Sequence, residues 1–275
     1  MSDRTIQSIA LNVRQLDPAR RFYQSLVGLD VLSESEGEVV LGAGDSEIVR
    51  LMDSPDAPPR DGRGAGLFHL AVLLPDRRSL ADALARLSGA SYSLTGASDH
   101  DVSEALYTDD PADNGVELYC DRPESEWRRD ASGEVYMTTR RLDLEGLRGQ
   151  ASPTTPERAP EGTSLGHVHL EVTDLERAVA FYRDALGMDL QASRRGAAFL
   201  SWDGYHHHVG LNTWNHRREP HDANALGLKS VTAALPPEDV ETIRSRADER
   251  ELALDNGDAA FSVDDPDGHA WQFRN

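Results

Sequence analysis

One cysteine, one lysine and few aromatic residues set the first limits on this 275-residue chain. Cys120 alone cannot form an intrachain disulfide, which excludes a disulfide framework. No run of 18 apolar residues occurs, and the N-terminus is not basic-then-apolar, so neither a membrane span nor a signal peptide is expected. Positive charge is scarce. Lys229 is the only lysine among 28 basic residues, and these face 48 acidic ones, for a net charge of -20. Such a surface repels phosphate backbones and anionic lipid, which excludes nucleic acid and membrane surfaces as partners. An acidic, arginine-over-lysine composition is that of a halophilic protein, in which salt screens the self-repulsion. What remains is a soluble, cytoplasmic protein with 39% hydrophobic residues, enough for a packed core. The length suits one large domain or two ordinary ones.

Internal repetition decides between these. Residues 11–31, LNVRQLDPARRFYQSLVGLDV, align without gaps on 170–190, LEVTDLERAVAFYRDALGMDL, with eight identities in 21 positions. GLFHLAVLLP at 66–75 matches GLKSVTAALP at 227–236 at a nearly equal offset. The chain is therefore a duplicated half, 1–128 and 164–275, each half holding two smaller units. Residues 129–163, ending in the Pro/Ser/Thr-rich ASPTTPERAPEGTS, read as a linker, with a short helical piece within MTTRRLDLEGLRG.

Each unit begins alike. Val168, Leu170 and Val172 alternate with His167, His169 and Glu171, the pattern of a half-buried strand. Asp174 then offers an N-cap, apolar residues recur at helical spacing, and Gly187 supplies a stop. In the first unit Asp17 is the expected N-cap, with Pro18 at the first helical position. Short strands follow, such as EIVRLM, AAFLSW and HHHVGLNTW, so each unit reads as βαβββ and the fold as α+β. The helix covers the apolar face of its sheet, leaving the other face to curve around a cavity.

Polar residues on that cavity face are the candidate site. The slot that holds His167 in unit three is Ser8 in unit one, His69 in unit two and Ser230 in unit four. On the last strand of unit two Glu117 points one way and Val116 and Leu118 the other, while unit four has Gln272 in the Glu117 slot. Any one of these histidines alone reads as an ordinary half-buried residue. Together, His69, Glu117 and His167 form a set of two imidazoles and one carboxylate, the ligand set that holds Fe(II) with open neighbouring positions; Mn(II) fits the same ligands.

The βαβββ repeats and the stretch SDHDVSEALYTDDPADNGVELY resemble the vicinal oxygen chelate superfamily, and within it the extradiol ring-cleavage dioxygenases. The family signature sets a His, an apolar-Tyr pair, an acidic-Pro pair and a ligand Glu in order. These fall on His100, Leu106-Tyr107, Asp110-Pro111 and Glu117. Ser98 and Asp113 depart from the pattern, and Asn114-Gly115 can make the turn at the second of these. DHDVSEALY alone reads equally as a capped turn, since Asp99 and Ser103 suit caps. YHHHVGLNTW resembles the family's His-His strand, whose second His maps to His207; alternation puts His207 on the face opposite His206 and His208. The other histidines are expected to be structural or on the surface.

The resemblance implies four modules forming two curved half-barrel pairs, and insertion of O2 into a catechol-type aromatic diol at Fe(II). It makes His207 the acid–base residue and has His100 and Tyr107 hydrogen-bond the substrate oxygens. A small aromatic diol and O2 are then the partners, and a homo-oligomer is compatible. In the best-known extradiol enzymes the ligands come from units three and four. Here unit four holds Ser230 and Gln272, so units two and three are expected to share the metal-bearing barrel. Two other functions stay open: a glyoxalase-I-like isomerase or lyase, which needs a fourth carboxylate ligand, and a metal-free binding protein of the bleomycin-resistance type.

Overall fold

The computed structural model describes residues 3–252, 254–256 and 261–274. Four modules follow one another along the chain. Module one comprises β1 (Thr5–Val13), α1 (Leu16–Arg21) running into a π-helical turn over Phe22–Val27, β2 (Asp30–Ser35), β3 (Glu38–Ala43) and β4 (Ser46–Asp53). Module two comprises β5 (Gly66–Leu73), α2 (Arg77–Gly89), β6 (Gly96–Asp99), β7 (Ser103–Asp109) and β8 (Gly115–Asp121). After the intervening β9 (Arg140–Arg141) and α3 (Leu144–Arg148), module three comprises β10 (Ser164–Glu171), α4 (Leu175–Asp184), β11 (Asp189–Arg194), β12 (Ala197–Ser201) and β13 (Val209–Asn212). Module four comprises β14 (Gly227–Ala234), α5 (Pro237–Glu249), β15 (Leu254–Asn256), β16 (Phe261–Asp264) and β17 (Ala270–Arg274). Each module is βαβββ.

Pairing crosses the two sequence halves. One sheet joins modules one and four, in the order β15-β16-β17-β14-β1-β4-β3-β2. The other joins modules two and three, in the order β11-β12-β13-β10-β5-β8-β7-β6-β9. The seams are antiparallel, β1 on β14 and β5 on β10. Neither half 1–128 nor half 164–275 therefore completes a sheet by itself. Leu11, Leu70, Leu170, Val231 and Trp271 belong to one buried apolar core that spans all four modules. No described helix is long and apolar enough to cross a membrane.

Polar braces lock each half together from the side of the helices. Tyr23 donates its hydroxyl to Asp110, 3.0 Å away, and Tyr182 donates to Asp265 at 2.8 Å. Each acceptor heads an Asp-Pro turn. Asp110 also accepts from the Ala112 and Asn114 amides, and Asp265 from the Asp267 and His269 amides. The repeated Phe-Tyr and Asp-Pro pairs are thus partners within each half, the hydrogen bonds satisfying carboxylates that burial would otherwise penalise.

Two local details differ from expectation. Helix α1 begins at Leu16 after Gln15, which makes no side-chain cap, so Asp17 lies in the first turn and is not the N-cap. It still opposes the helix dipole there, and Pro18 sits where the amide has no intrahelical partner. Asp174 does cap α4, accepting from the Arg177 amide at 3.0 Å. In the turn before β8 the left-handed residue is Asp113 itself, at φ 61°, not the Asn114-Gly115 pair; aspartate tolerates that region better than most side chains. Gly115 answers a different need: a Cβ there would lie 2.3 Å from the Phe68 carbonyl and 3.1 Å from the His69 Cβ.

The segment read as a linker does more than span a gap. Arg140 and Arg141 add a ninth strand beside β6, the short helix appears as α3, and Val135 donates its amide to Gln191 of β11. Residues 137–139 wall the cavity of the second sheet.

Candidate metal centre

The register of the second sheet builds the site. His167 on β10 stands opposite Ala71 on β5, and Ala71 stands beside Glu117 on β8. Tyr107 on β7 continues that row opposite Glu117. Partners in register share a face, so these side chains all point into the concave side. His69 lies two residues before Ala71, on the same face and paired with His169. Alanine between His167 and Glu117 contributes only a methyl, so the longer side chains around it converge over its position.

They converge closely. Nε2 of His69 and Nε2 of His167 lie 3.0 and 3.1 Å from Oε2 of Glu117. One donor atom from each of the three residues falls within 4.8 Å of the others, and all three side chains are buried. Nε2 of His69 is buried and, though 3.0 Å from Glu117, is not aligned for a good hydrogen bond to it. A buried nitrogen so poorly satisfied is costly unless it binds something further. Burial pulls the His167 pKa down to about 4, against the opposing charge of Glu117. Burial pushes the Glu117 carboxyl up, but the two imidazoles outweigh it and hold it well below the usual carboxylate range. At neutral pH His167 is therefore a neutral imidazole and Glu117 a carboxylate, the forms in which these groups bind a divalent cation. The donor set fits a metal of the Fe(II) or Mn(II) kind.

The first sheet holds the contrasting case. Its corresponding slots carry Ser8, Ser230 and Gln272, and Thr232 donates its hydroxyl to the Gln272 amide oxygen at 3.3 Å. In the second sheet the position in module three that corresponds to Glu117 is Gly210, parallel partner of His169. A Cβ there would come within 2.9 Å of the His169 ring. No fourth carboxylate joins His69, Glu117 and His167 among the described residues.

The triad opens into a cavity of about 740 Å³. Phe68, Val102, Val116, Phe199 and Trp214 give it apolar walls, and Met137 from the 129–163 segment adds another. His100 and Tyr107 line it and bond to each other, His100 Nε2 lying 2.7 Å from the Tyr107 oxygen. His100 Nδ1 lies 2.6 Å from the Thr138 carbonyl, which only accepts, so Nδ1 carries a hydrogen and donates it there. Burial, then the Glu117 charge, raises the Tyr107 pKa well above its ordinary value, so it remains a phenol. His100 sits on a tight turn in which Asp99 accepts the Asp101 amide, so the turn reading and the cavity position coexist.

His206 to His208 precede β13, outside the strand expected there. His207 lines the cavity with its ring centroid 4.1 Å from that of His167. Burial, then neighbouring imidazoles, pull its pKa well below the ordinary value, so it is neutral. His206 turns to Asp121 and His208 accepts from the Trp202 amide. His169, expected to be structural, also lines the cavity, ringed by Phe68 and Trp214, with a buried Nε2 lacking a partner. Its place on the His167 face was the available signal. Glu171, next on that face, is taken up by Arg60, Arg217 and Asn215.

The family model of the Glyoxalase/Bleomycin resistance protein/Dioxygenase superfamily matches residues 5–118 and 164–273. The chain belongs to this superfamily. A catechol-2,3-dioxygenase of Bacillus subtilis (strain 168) is 39% identical over 267 residues, covering 95% of this chain and 93% of the relative. On that likeness the superfamily member described here is an oxidoreductase of the dioxygenase type. Glyoxalase I from Zea mays shares the fold at TM-score 0.62 and 17% identity, covering 99% of this chain and 92% of that one. A putative dioxygenase from Bacillus subtilis subsp. subtilis str. 168 does so at TM-score 0.67 and 14% identity, covering 98% and 84%.

Proposed function

We propose that the chain is an extradiol ring-cleavage dioxygenase that opens a catechol-type aromatic diol with O2 at a single iron held by His69, Glu117 and His167. One observation carries the reading: two buried imidazoles and one buried carboxylate converge, donor atoms within 4.8 Å of one another, beneath an apolar cavity. Bound Fe(II) would supply a common anchor for the diol oxygens and dioxygen and a path for electron density between them. Mn(II) is the alternative metal for the same donors.

The chain's own groups supply the rest. Phe68, Phe199 and Trp214 give a flat ring apolar surface and exclude water from it. Neutral His207 accepts a diol proton at Nε2 and later returns it to the opening product. The Tyr107 hydroxyl, shared with His100, reorients to donate toward oxygen as negative charge grows there. The 129–163 segment fixes His100 through the Thr138 carbonyl and closes the cavity with Met137.

Gly210 in the slot of a fourth ligand weighs against the isomerase reading, and the convergent triad weighs against a metal-free binding protein. The test is to strip metal with a chelator, reload with Fe(II) or Mn(II) under argon in high salt, and follow oxygen uptake. Uptake with catechol supports the proposal. Uptake with hydroquinone alone would change the substrate, and stoichiometric metal without uptake on either would overturn the reaction class.

A further inference from the structure

We propose that the cavity is built for a catechol carrying an anionic side chain, and that Arg194 is the residue that selects it. The diol end rests on the ring-cleavage reading above. The side chain rests on the depth and charge of the cavity itself.

A volume of about 740 Å³ is that of a site for a drug-sized ligand, well beyond a bare catechol. The sheet register gives its depth. His167 lies in the row of Ala71 and Glu117, where the triad converges. Two residues on, His169 pairs with Gly210 and Gly210 with Phe199, the aromatic wall. Two further on, Glu171 pairs with Asn212, Asn212 with Ala197 and Ala197 with Arg194. Even steps keep one face, so Arg194 lines the same cavity roughly 13 Å along the strands from the ligand row. A diol held at the triad leaves the space past Phe199 to a ring substituent, and that space ends at a guanidinium.

Among the described residues, Arg194 is the one arginine or lysine that lines the cavity. Its charge is not spent. Nη1 donates to the Ser193 carbonyl at 2.7 Å and Nη2 to the Met137 carbonyl at 3.2 Å, both neutral acceptors. A guanidinium has five donors, and these contacts leave some of them over. The carboxylate of Glu134 stands 3.7 Å away, longer than a hydrogen bond. Glu134 accepts instead from the Ser193 amide at 3.2 Å, so an incoming anion can take the guanidinium without stranding that carboxylate.

The surroundings favour an anion at that place and no other. Asp109, the exposed carboxylate of the cavity wall, is on β7, near the other end of the same sheet, and repels an anion there. Trp214 and Met137 give apolar surface to the carbons of a side chain. The Arg194 side chain is 41% exposed, so an anion reaches it from the mouth. The planar fork of arginine matches a carboxylate with two parallel hydrogen bonds. Arg194 is a specificity residue; it stands away from the reacting atoms.

The test compares 3-(3,4-dihydroxyphenyl)propionate with its neutral methyl ester. Calorimetry under argon on the full chain, loaded with Zn(II) so that nothing turns over, reads binding at one fixed ionic strength. The acid is expected to bind about tenfold tighter than the ester, the worth of a charge-assisted contact at a partly exposed site. Arg194→Gln keeps a donor for the Met137 carbonyl but loses the charge, and should bring acid and ester together; Arg194→Lys should keep part of the preference. Added salt should weaken the acid and leave the ester unchanged. Equal binding of acid and ester to the wild type overturns the proposal, and so does a preference that survives in folded Arg194→Gln. Oxygen uptake by the Fe(II)-loaded chain separates this from the reaction class. If acid, ester and catechol are opened with equal kcat/KM, ring cleavage stands and the proposal falls. If the acid binds through Arg194 and no diol is opened, the ring-cleavage reading falls and the anion preference stands.

Discussion

Ala71 stands beside Glu117 in the parallel register of β5 and β8, and opposite His167 across the antiparallel seam. Its methyl is the smallest side chain in a row that otherwise carries His167, Glu117 and Tyr107, and it is fully buried. The space above it is what the ligand side chains share.

Filling that space should displace the metal without touching a ligand. Ala71→Leu is expected to weaken Fe(II) binding by about tenfold or more, in the range that groups supporting a metal site usually contribute. Overpacking would cost about 1–3 kcal/mol of stability. Competition with a chromophoric chelator measures the first and urea unfolding the second. Wild-type affinity in a folded Ala71→Leu protein would show that metal binds elsewhere.

Metal binding and turnover should separate between Glu117 and His207. Glu117→Gln replaces a carboxylate with a poorer neutral ligand and should lose most iron and activity together. His207→Phe should keep the iron and lose about 100- to 10,000-fold in kcat. Iron content and oxygen uptake on the same samples decide it, and equal iron loss in both would make His207 a ligand.

The braces under the sheets predict a stability effect with little catalytic change. In Tyr182→Phe, Asp265 loses a donor and the Trp271 indole loses its acceptor. A loss of about 1–3 kcal/mol is expected, that of a buried group left without its partner. Tyr23→Phe should behave alike at Asp110. Urea unfolding reads this. Wild-type stability in Tyr182→Phe would show that the Tyr182–Asp265 hydrogen bond stabilises nothing.

Much of this architecture was legible in the sequence, and for definite reasons. The period of two in His167, His169 and Glu171, carried across repeats at constant offset, marked equivalent slots, and serine and glutamine in unit four pointed to a cross-half sheet. The crossed pairing of modules in the two sheets matches that expectation. Features set by distant partners were hidden. Asp121 and His206 are 85 positions apart, and nothing local joins them. The 129–163 segment has a linker's composition, yet its Thr138 carbonyl orients His100. The unexpected start of α1 is of another kind: Asp17 is a good cap residue by type, but the helix already begins at Leu16, with the extended Gln15 in the cap position.

Buried neutral histidines set the acid limit of the metal-free protein. Burial lowers His208 to about 3 and His221 to about 4. Both rings take up a proton more readily when unfolded, near pH 6.5. Above that pH neither state is protonated and the groups are silent. As pH falls below 6.5 the unfolded state binds the protons first, so stability falls toward the folded values. Urea midpoints at pH 7 and pH 5, at constant high salt, should show the loss. His208→Gln should reduce it by about 2 kcal/mol. An unchanged difference would mean that His208 does not carry it.

We propose that His69, Glu117 and His167, drawn from both sequence halves, hold one iron at which a catechol is opened. The most direct measurement loads the chain with Fe(II) anaerobically in high salt, adds catechol, admits air, and records oxygen and absorbance together. A yellow ring-opened product with one O2 consumed per catechol is expected, and neither signal from Glu117→Gln. Bound iron with no yellow product and no oxygen consumed would contradict it.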